Sequence, residues 1–276
     1  MTKAELWAAV TPDGNYLFTR GDVTIEVQDD GSGPAVFILP SLGRGASDYD
    51  ELTALLNQRG IRVLRPQTRG IGRSTGRLTG LTMEDLAGDV ALAIEGTKLG
   101  PAFVAGHAFG NFVARMLATA WPQLVRSVAI VAGSPGILPS GELPYDPEIQ
   151  KELAKCSDLS LSDEIRIEAL NRAFFAPGND SRVWLGGWHP EIKAAQRAAD
   201  AATPVQVYFA AGNAPILEVQ AACDTIADTR YAHLLREQLG ARVSTVVIEN
   251  AGHALIPEQP VAVADTIADW ILGFPR

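Results

Sequence analysis

The pentapeptide Gly106-His107-Ala108-Phe109-Gly110 follows a short apolar run at 102–105 and precedes a helical pattern at 111–120. A strand that turns sharply into a helix between small residues is the context of a nucleophile elbow, which holds one side chain out beyond the end of a sheet. Gly106 and Gly110 let such a helix lie close to the sheet. The apex normally carries serine, cysteine or aspartate. Here it carries Ala108, whose methyl group cannot attack any centre. Taken alone, the pentapeptide also fits a glycine-containing strand–helix turn with no catalytic past. His107 is expected to point away from the bend into the core.

Three further stretches surround the pentapeptide in order: Ile38-Leu39-Pro40-Ser41-Leu42-Gly43, then Arg65-Pro66-Gln67-Thr68-Arg69-Gly70-Ile71-Gly72-Arg73-Ser74, and later Ala251-Gly252-His253. With the elbow they resemble the α/β-hydrolase family, over roughly residues 16–133 and 214–276. The resemblance implies roles. His253, in a Gly-His turn after the last predicted strand, takes the place of the catalytic base. Asp224, 29 positions earlier and just after the run at 216–220, takes the place of the acid. A carboxylate there accepts the imidazole N–H, fixes the tautomer and stabilises imidazolium. Asp228 is a competing acid, and an alternative alignment with a strand at 205–211 leaves only Asn213, which lacks the charge. The backbone N–H groups of Leu42 and Phe109 are the expected oxyanion hole. The Leu42 loop has Pro40-Ser41 where a His-Gly pattern is frequent, but a backbone donor survives that change. Ser41 is either a loop cap or a stand-in hydroxyl.

The elements that position these residues alternate. A hairpin is expected at 16–19 and 23–27, with strands at 35–39, 62–64, 102–105 and 125–131. Helices fall between them at 47–59, at 82–96 with Thr82 and Asp85 as a capping pair, and at 111–120. Such alternation implies an α/β fold: a mostly parallel sheet of about eight strands with right-handed crossovers. The rhythm breaks after Ala132. Asp146-Pro147, Ser162 and Pro190 each start a helix, and Thr203-Pro204 is a candidate fourth start. Ile165, Leu170 and Phe174 are the expected buried residues of the second. The alternation resumes with strands at 216–220 and 243–248 and helices near 231–239 and 261–272. The reading is a core of 1–133 and 214–276 with 134–213 inserted as a helical cap.

Composition bounds the function. The net charge of −9 argues against nonspecific binding to nucleic acid. Two cysteines, Cys156 and Cys223, are too few for a disulfide framework, and Cys223 is expected to be a small buried residue. No apolar run suits a signal peptide or approaches the ~18 residues of a membrane span. The glycine-rich loop with Arg69 and Ser74 lacks the spacing and lysine of a phosphate cradle, and no residue cluster has metal-ligand spacing. The expectation is a cytoplasmic protein acting on a small molecule, with no cofactor, metal, nucleic acid or membrane partner.

Trp184, Trp188 and Tyr208 in the cap are expected to line the pocket, and Arg44 near the oxyanion loop is the cation expected to meet a substrate carboxylate. The absence of clustered cap cations suggests a largely apolar substrate of moderate size. Three readings stay open for Ala108. The chain is a hydrolase of an ester, lactone or ketone-type substrate whose serine has been replaced, by design or in nature. Alternatively His253 and Asp224 work as a dyad without a serine, in hydration, lyase or cofactor-free chemistry. Alternatively the scaffold binds a small molecule and does no chemistry.

Overall fold

The structure, a computed structural model, describes residues 5–275. Nine strands form one sheet: β1 (Trp7–Val10), β2 (Tyr16–Arg20), β3 (Val23–Asp30), β4 (Ala35–Leu39), β5 (Arg62–Pro66), β6 (Ala102–His107), β7 (Val125–Val131), β8 (Ile216–Ala221) and β9 (Val243–Ile248). Their order across the sheet is β1-β2-β3-β5-β4-β6-β7-β8-β9. The first three strands meander and join β5 antiparallel, and every pairing from β5 to β9 is parallel. The extra strand relative to the expected eight is β1, whose four residues are all exposed. An alternating burial signal is absent there, which is why the sequence pattern passes over it.

Helices α1 (Asp50–Gln58), α2 (Met83–Thr97) and α3 (Phe109–Ala120) connect the strands of the first half. Thr82 and Asp85 form the reciprocal capping box that satisfies the first free N–H groups of α2. Strand β6 is buried throughout, and its side chains alternate between two cores. Ala102 and Val104 join the cluster under α2 and α3, while Phe103 and Ala105 join the cluster on the opposite face.

Between β7 and β8 the chain holds α4 (Pro147–Cys156), α5 (Asp163–Ala173) and α6 (Pro190–Ala201), with no strand. Asp146 caps α4 by accepting the Glu148 N–H, ahead of Pro147 at the first helical position. In α5, Leu170 is buried and so is Phe174 just beyond it, but Ile165 is 44% exposed and lies on the outer side of the helix. The candidate fourth helix is a single 3-10 turn, Val205–Val207. That turn also disposes of a strand at 205–211, and with it Asn213 as the acid. Three helices close the chain: α7 (Leu234–Leu239), α8 (Leu255–Glu258) and α9 (Pro260–Leu272), the last completing the second core. No helix among the described residues is long and apolar enough to cross a membrane.

Candidate active site

Ala108 sits at the junction of β6 and α3 with φ +47° and ψ −113°. Alanine does not adopt this combination without strain, and such strain of about 1–3 kcal/mol persists only where surrounding structure enforces it. The enforcement is visible in the flanking glycines. A Cβ on Gly106 would lie 2.3 Å from the Gly110 backbone, and one on Gly110 would lie 2.4 Å from the Leu39 carbonyl oxygen. The bend is therefore clamped between β4 and α3.

The loop after β9 brings His253 to the same end of the sheet. Its Nδ1 lies 2.9 Å from Asp224 Oδ2 and 3.1 Å from Oδ1, and both residues are buried. Asp224 follows β8, and its Oδ1 also accepts the N–H groups of Ile226 and Ala227, each at 2.8 Å. These turn amides hold the carboxylate in place before the imidazole meets it. Asp228 is elsewhere: it caps a short turn and pairs with Arg230. Gly252 is required beside His253, because a Cβ there would lie 2.5 Å from the Phe174 carbonyl oxygen. Glu258 completes the loop by accepting the N–H groups of Gly252 and Ala176 and the Asn179 amide, all at 2.7 Å. Burial raises the pKa of that carboxyl.

His253, Ala108, Leu42 and Phe109 face one cavity of about 480 Å³. The Nε2 of His253 has no hydrogen-bond partner among the described residues, and neither have the backbone N–H groups of Leu42 and Phe109. Phe109 is buried and Leu42 half-buried, and both residues border the cavity. Ser41 also borders the cavity; its carbonyl accepts the Arg44 N–H and closes the loop.

His107 is fully enclosed and joins these parts. The Tyr49 hydroxyl accepts the Ser41 N–H at 2.9 Å and lies 3.1 Å from His107 Nδ1, while His107 Nε2 lies 3.0 Å from the His253 carbonyl oxygen. Nε2 must donate to that carbonyl, so Nδ1 accepts from Tyr49. Burial, reinforced by His253, pushes the His107 pKa down to about 3, so the ring is neutral. Nothing in sequence spacing points to Tyr49.

The remaining expectations divide. Trp188 and Tyr208 line the cavity. Trp184 does not; it lies beneath, its ring centroid 5.3 Å from that of Phe174 and 5.6 Å from that of His107. Arg44 does not reach the cavity either. Its guanidinium is buried between the rings of Trp184 and Trp188, at 4.7 and 4.6 Å, and is spent on Asp48 and on the carbonyls of Trp184 and Gly186. Proximity in sequence to the Leu42 loop does not bring Arg44 to the cavity, because the side chain turns away to anchor the 184–188 stretch. Cys223 is exposed rather than buried. The expected absence of clustered cap cations does not hold: Lys193 and Arg197, four residues apart and so on one face of α6, both line the cavity. The wall is therefore mixed: Phe109, Phe112, Phe174 and Trp188 on one part, Lys193, Arg197 and Asp200 on another.

The sequence pattern of the Alpha/beta hydrolase family matches residues 36–266, and the chain belongs to that family. It is 31% identical over 117 residues to a 2-(acetamidomethylene)succinate hydrolase of Mesorhizobium japonicum, a stretch covering 42% of each protein. It is 25% identical to rhodomycin D methylesterase of a Streptomyces species, over 94% of this chain and 97% of that one. Among solved structures, an esterase from Exiguobacterium antarcticum superposes with a TM-score of 0.75 over 96% of this chain and 98% of its own, at 17% identity. The chain matches about two fifths of the length of the first relatives found by sequence, and the likeness to the esterase structure concerns the fold.

Proposed function

We propose that this protein hydrolyses a moderate-sized ester, lactone or related carbonyl compound by means of the Asp224–His253 pair, with a water molecule doing what a serine hydroxyl does elsewhere. The observation that carries the reading is the coexistence of a fully supported His–Asp pair with a side chain at 108 that cannot act as nucleophile. Two buried, hydrogen-bonded titratable groups are costly to desolvate.

The steps follow from the groups present. Water next to Ala108 attacks the carbonyl carbon while His253 Nε2 takes its proton. Asp224 stabilises the imidazolium, and the Leu42 and Phe109 N–H groups receive the oxyanion. The tetrahedral adduct then expels the alkoxide, which takes the proton back from His253, leaving a carboxylic acid and an alcohol. The helices α4–α6 act as a lid over this end of the sheet. The same pair could run hydration or a lyase-type proton transfer, since each needs only a base and an oxyanion site.

The strained backbone at Ala108 favours a second reading, in which a serine has been lost and the site only binds. Turnover of a panel of activated esters and lactones decides between them. The proposal expects turnover by the protein as it stands and its loss in His253→Ala.

A further inference from the structure

Helix α6 turns Lys193 and Arg197 towards the cavity that holds Ala108 and His253. Neither cation pairs with a carboxylate among the described residues. Lys193 Nζ donates to the Ser157 hydroxyl at 2.6 Å and to the Leu153 carbonyl at 3.2 Å, both neutral acceptors. The Arg197 guanidinium makes no hydrogen bond or ion pair among the described residues. Asp200 is three positions away on the same helix, yet its carboxylate receives the Tyr208 hydroxyl at 3.2 Å and not the guanidinium. Among surface arginines, Arg182, Arg230 and Arg172 each close on an acid within four residues, while Arg236 and Arg242 donate to backbone carbonyls.

Two like charges at this spacing repel. Burial holds the Lys193 pKa below the ordinary lysine value, and Arg197 lowers it further. With Asp200 beside them the wall carries one net positive charge, in a chain whose net charge is −9. Lys193 is half-buried and Arg197 exposed where they border the cavity, and a local excess of positive charge there attracts an anion.

We infer that the Lys193–Arg197 wall is an anion subsite and that the substrate carries a single carboxylate, gripped by Arg197, with its reacting carbonyl at Leu42 and Phe109. The planar guanidinium fork matches a carboxylate in bidentate fashion, while Lys193, tethered to Ser157, supplies a fixed point charge. One net positive charge suits a monoanion; a phosphate monoester, at ≈ −1.5 to −2 near neutral pH, exceeds it. The placement of the reacting end rests on the hydrolytic reading, but the anion subsite does not. The inference revises the expectation of a largely apolar substrate: the body is apolar and one end is charged.

Titration of the protein's tryptophan fluorescence with hexanoate, hexanamide and hexyl phosphate tests this, since Trp188 borders the cavity. Hexanoate is expected to bind about tenfold or more tightly than hexanamide, with a preference that shrinks as salt is added. Arg197→Gln, an exposed helical position, is expected to bring hexanoate to the level of hexanamide and leave hexanamide unchanged. Lys193→Gln is expected to weaken hexanoate in the same sense. Equal binding of the acid and the amide, no binding of hexanoate, a preference that survives Arg197→Gln, or tighter binding of hexyl phosphate would each overturn the inference. His253→Ala is expected to keep the hexanoate preference. Absent ester turnover with that preference intact would therefore sink the hydrolytic reading and uphold the subsite.

Discussion

His107 Nε2 lies 3.0 Å from the carbonyl oxygen of His253, so the residue before the elbow holds the loop that carries the proposed base. Through Tyr49 the same ring reaches the Ser41 N–H, next to the Leu42 donor. One buried chain of hydrogen bonds thus sets the relative positions of base, elbow and oxyanion loop.

Tyr49→Phe removes the hydroxyl in the middle of that chain and leaves the Ser41 N–H and His107 Nδ1 unpaired. The expected cost is about 1–3 kcal/mol of stability, read from urea denaturation. Turnover should fall through kcat, because Leu42 sits one residue from the freed amide. Unchanged stability would show that the chain is not maintained in solution.

His107 gives a definite pH signature. Its pKa in the folded protein is pushed down to about 3, while the unfolded chain has an ordinary value near 6.5. Between these values the unfolded state binds a proton that the folded state refuses. Stability therefore falls as pH drops from about 6.5 towards about 3, with a slope of up to about 1.4 kcal/mol per pH unit from this group. His107→Gln should flatten the dependence in denaturation curves recorded between those limits. An unaltered slope would mean that the ring is not held neutral.

How much of this was legible in the sequence depends on whether a residue acts through spacing or through distant contact. The order β–α–β, the elbow glycines and the His253–Asp224 separation are local or evenly spaced, so they could be read. Gly252 was read as part of a motif, but its reason, the approach of the Phe174 carbonyl, is a contact across the fold. Arg44 was misplaced for the same reason: its partners at 184 and 186 lie about 140 residues away. Tyr49 has no pattern at all. Ile165 matched a helical stripe and still faces outward, because α5 buries a different face against its neighbours.

Arg44 is a buried strut and Arg197 the proposed recognition residue, and the two should separate by experiment. Arg44→Met leaves Asp48, whose side chain is 10% exposed, without its partner. Breaking a buried pair from one side costs about 3–5 kcal/mol, so the denaturation midpoint should drop sharply. Its effect on hexanoate and hexanamide binding should be equal. A selective loss of hexanoate binding with full stability would place Arg44 in the site after all.

The central claim is that Asp224 and His253 work without a nucleophilic side chain. It is tested most directly by initial rates on one panel of activated esters and lactones for the protein, His253→Ala and Ala108→Ser. The protein is expected to turn over the panel above buffer, and His253→Ala to fall about 10²–10⁴-fold, the usual worth of a positioned general base. Ala108→Ser, which fills the water's place, should give no gain. An inert protein that becomes an esterase only as Ala108→Ser would contradict the account and identify a serine hydrolase lacking its serine.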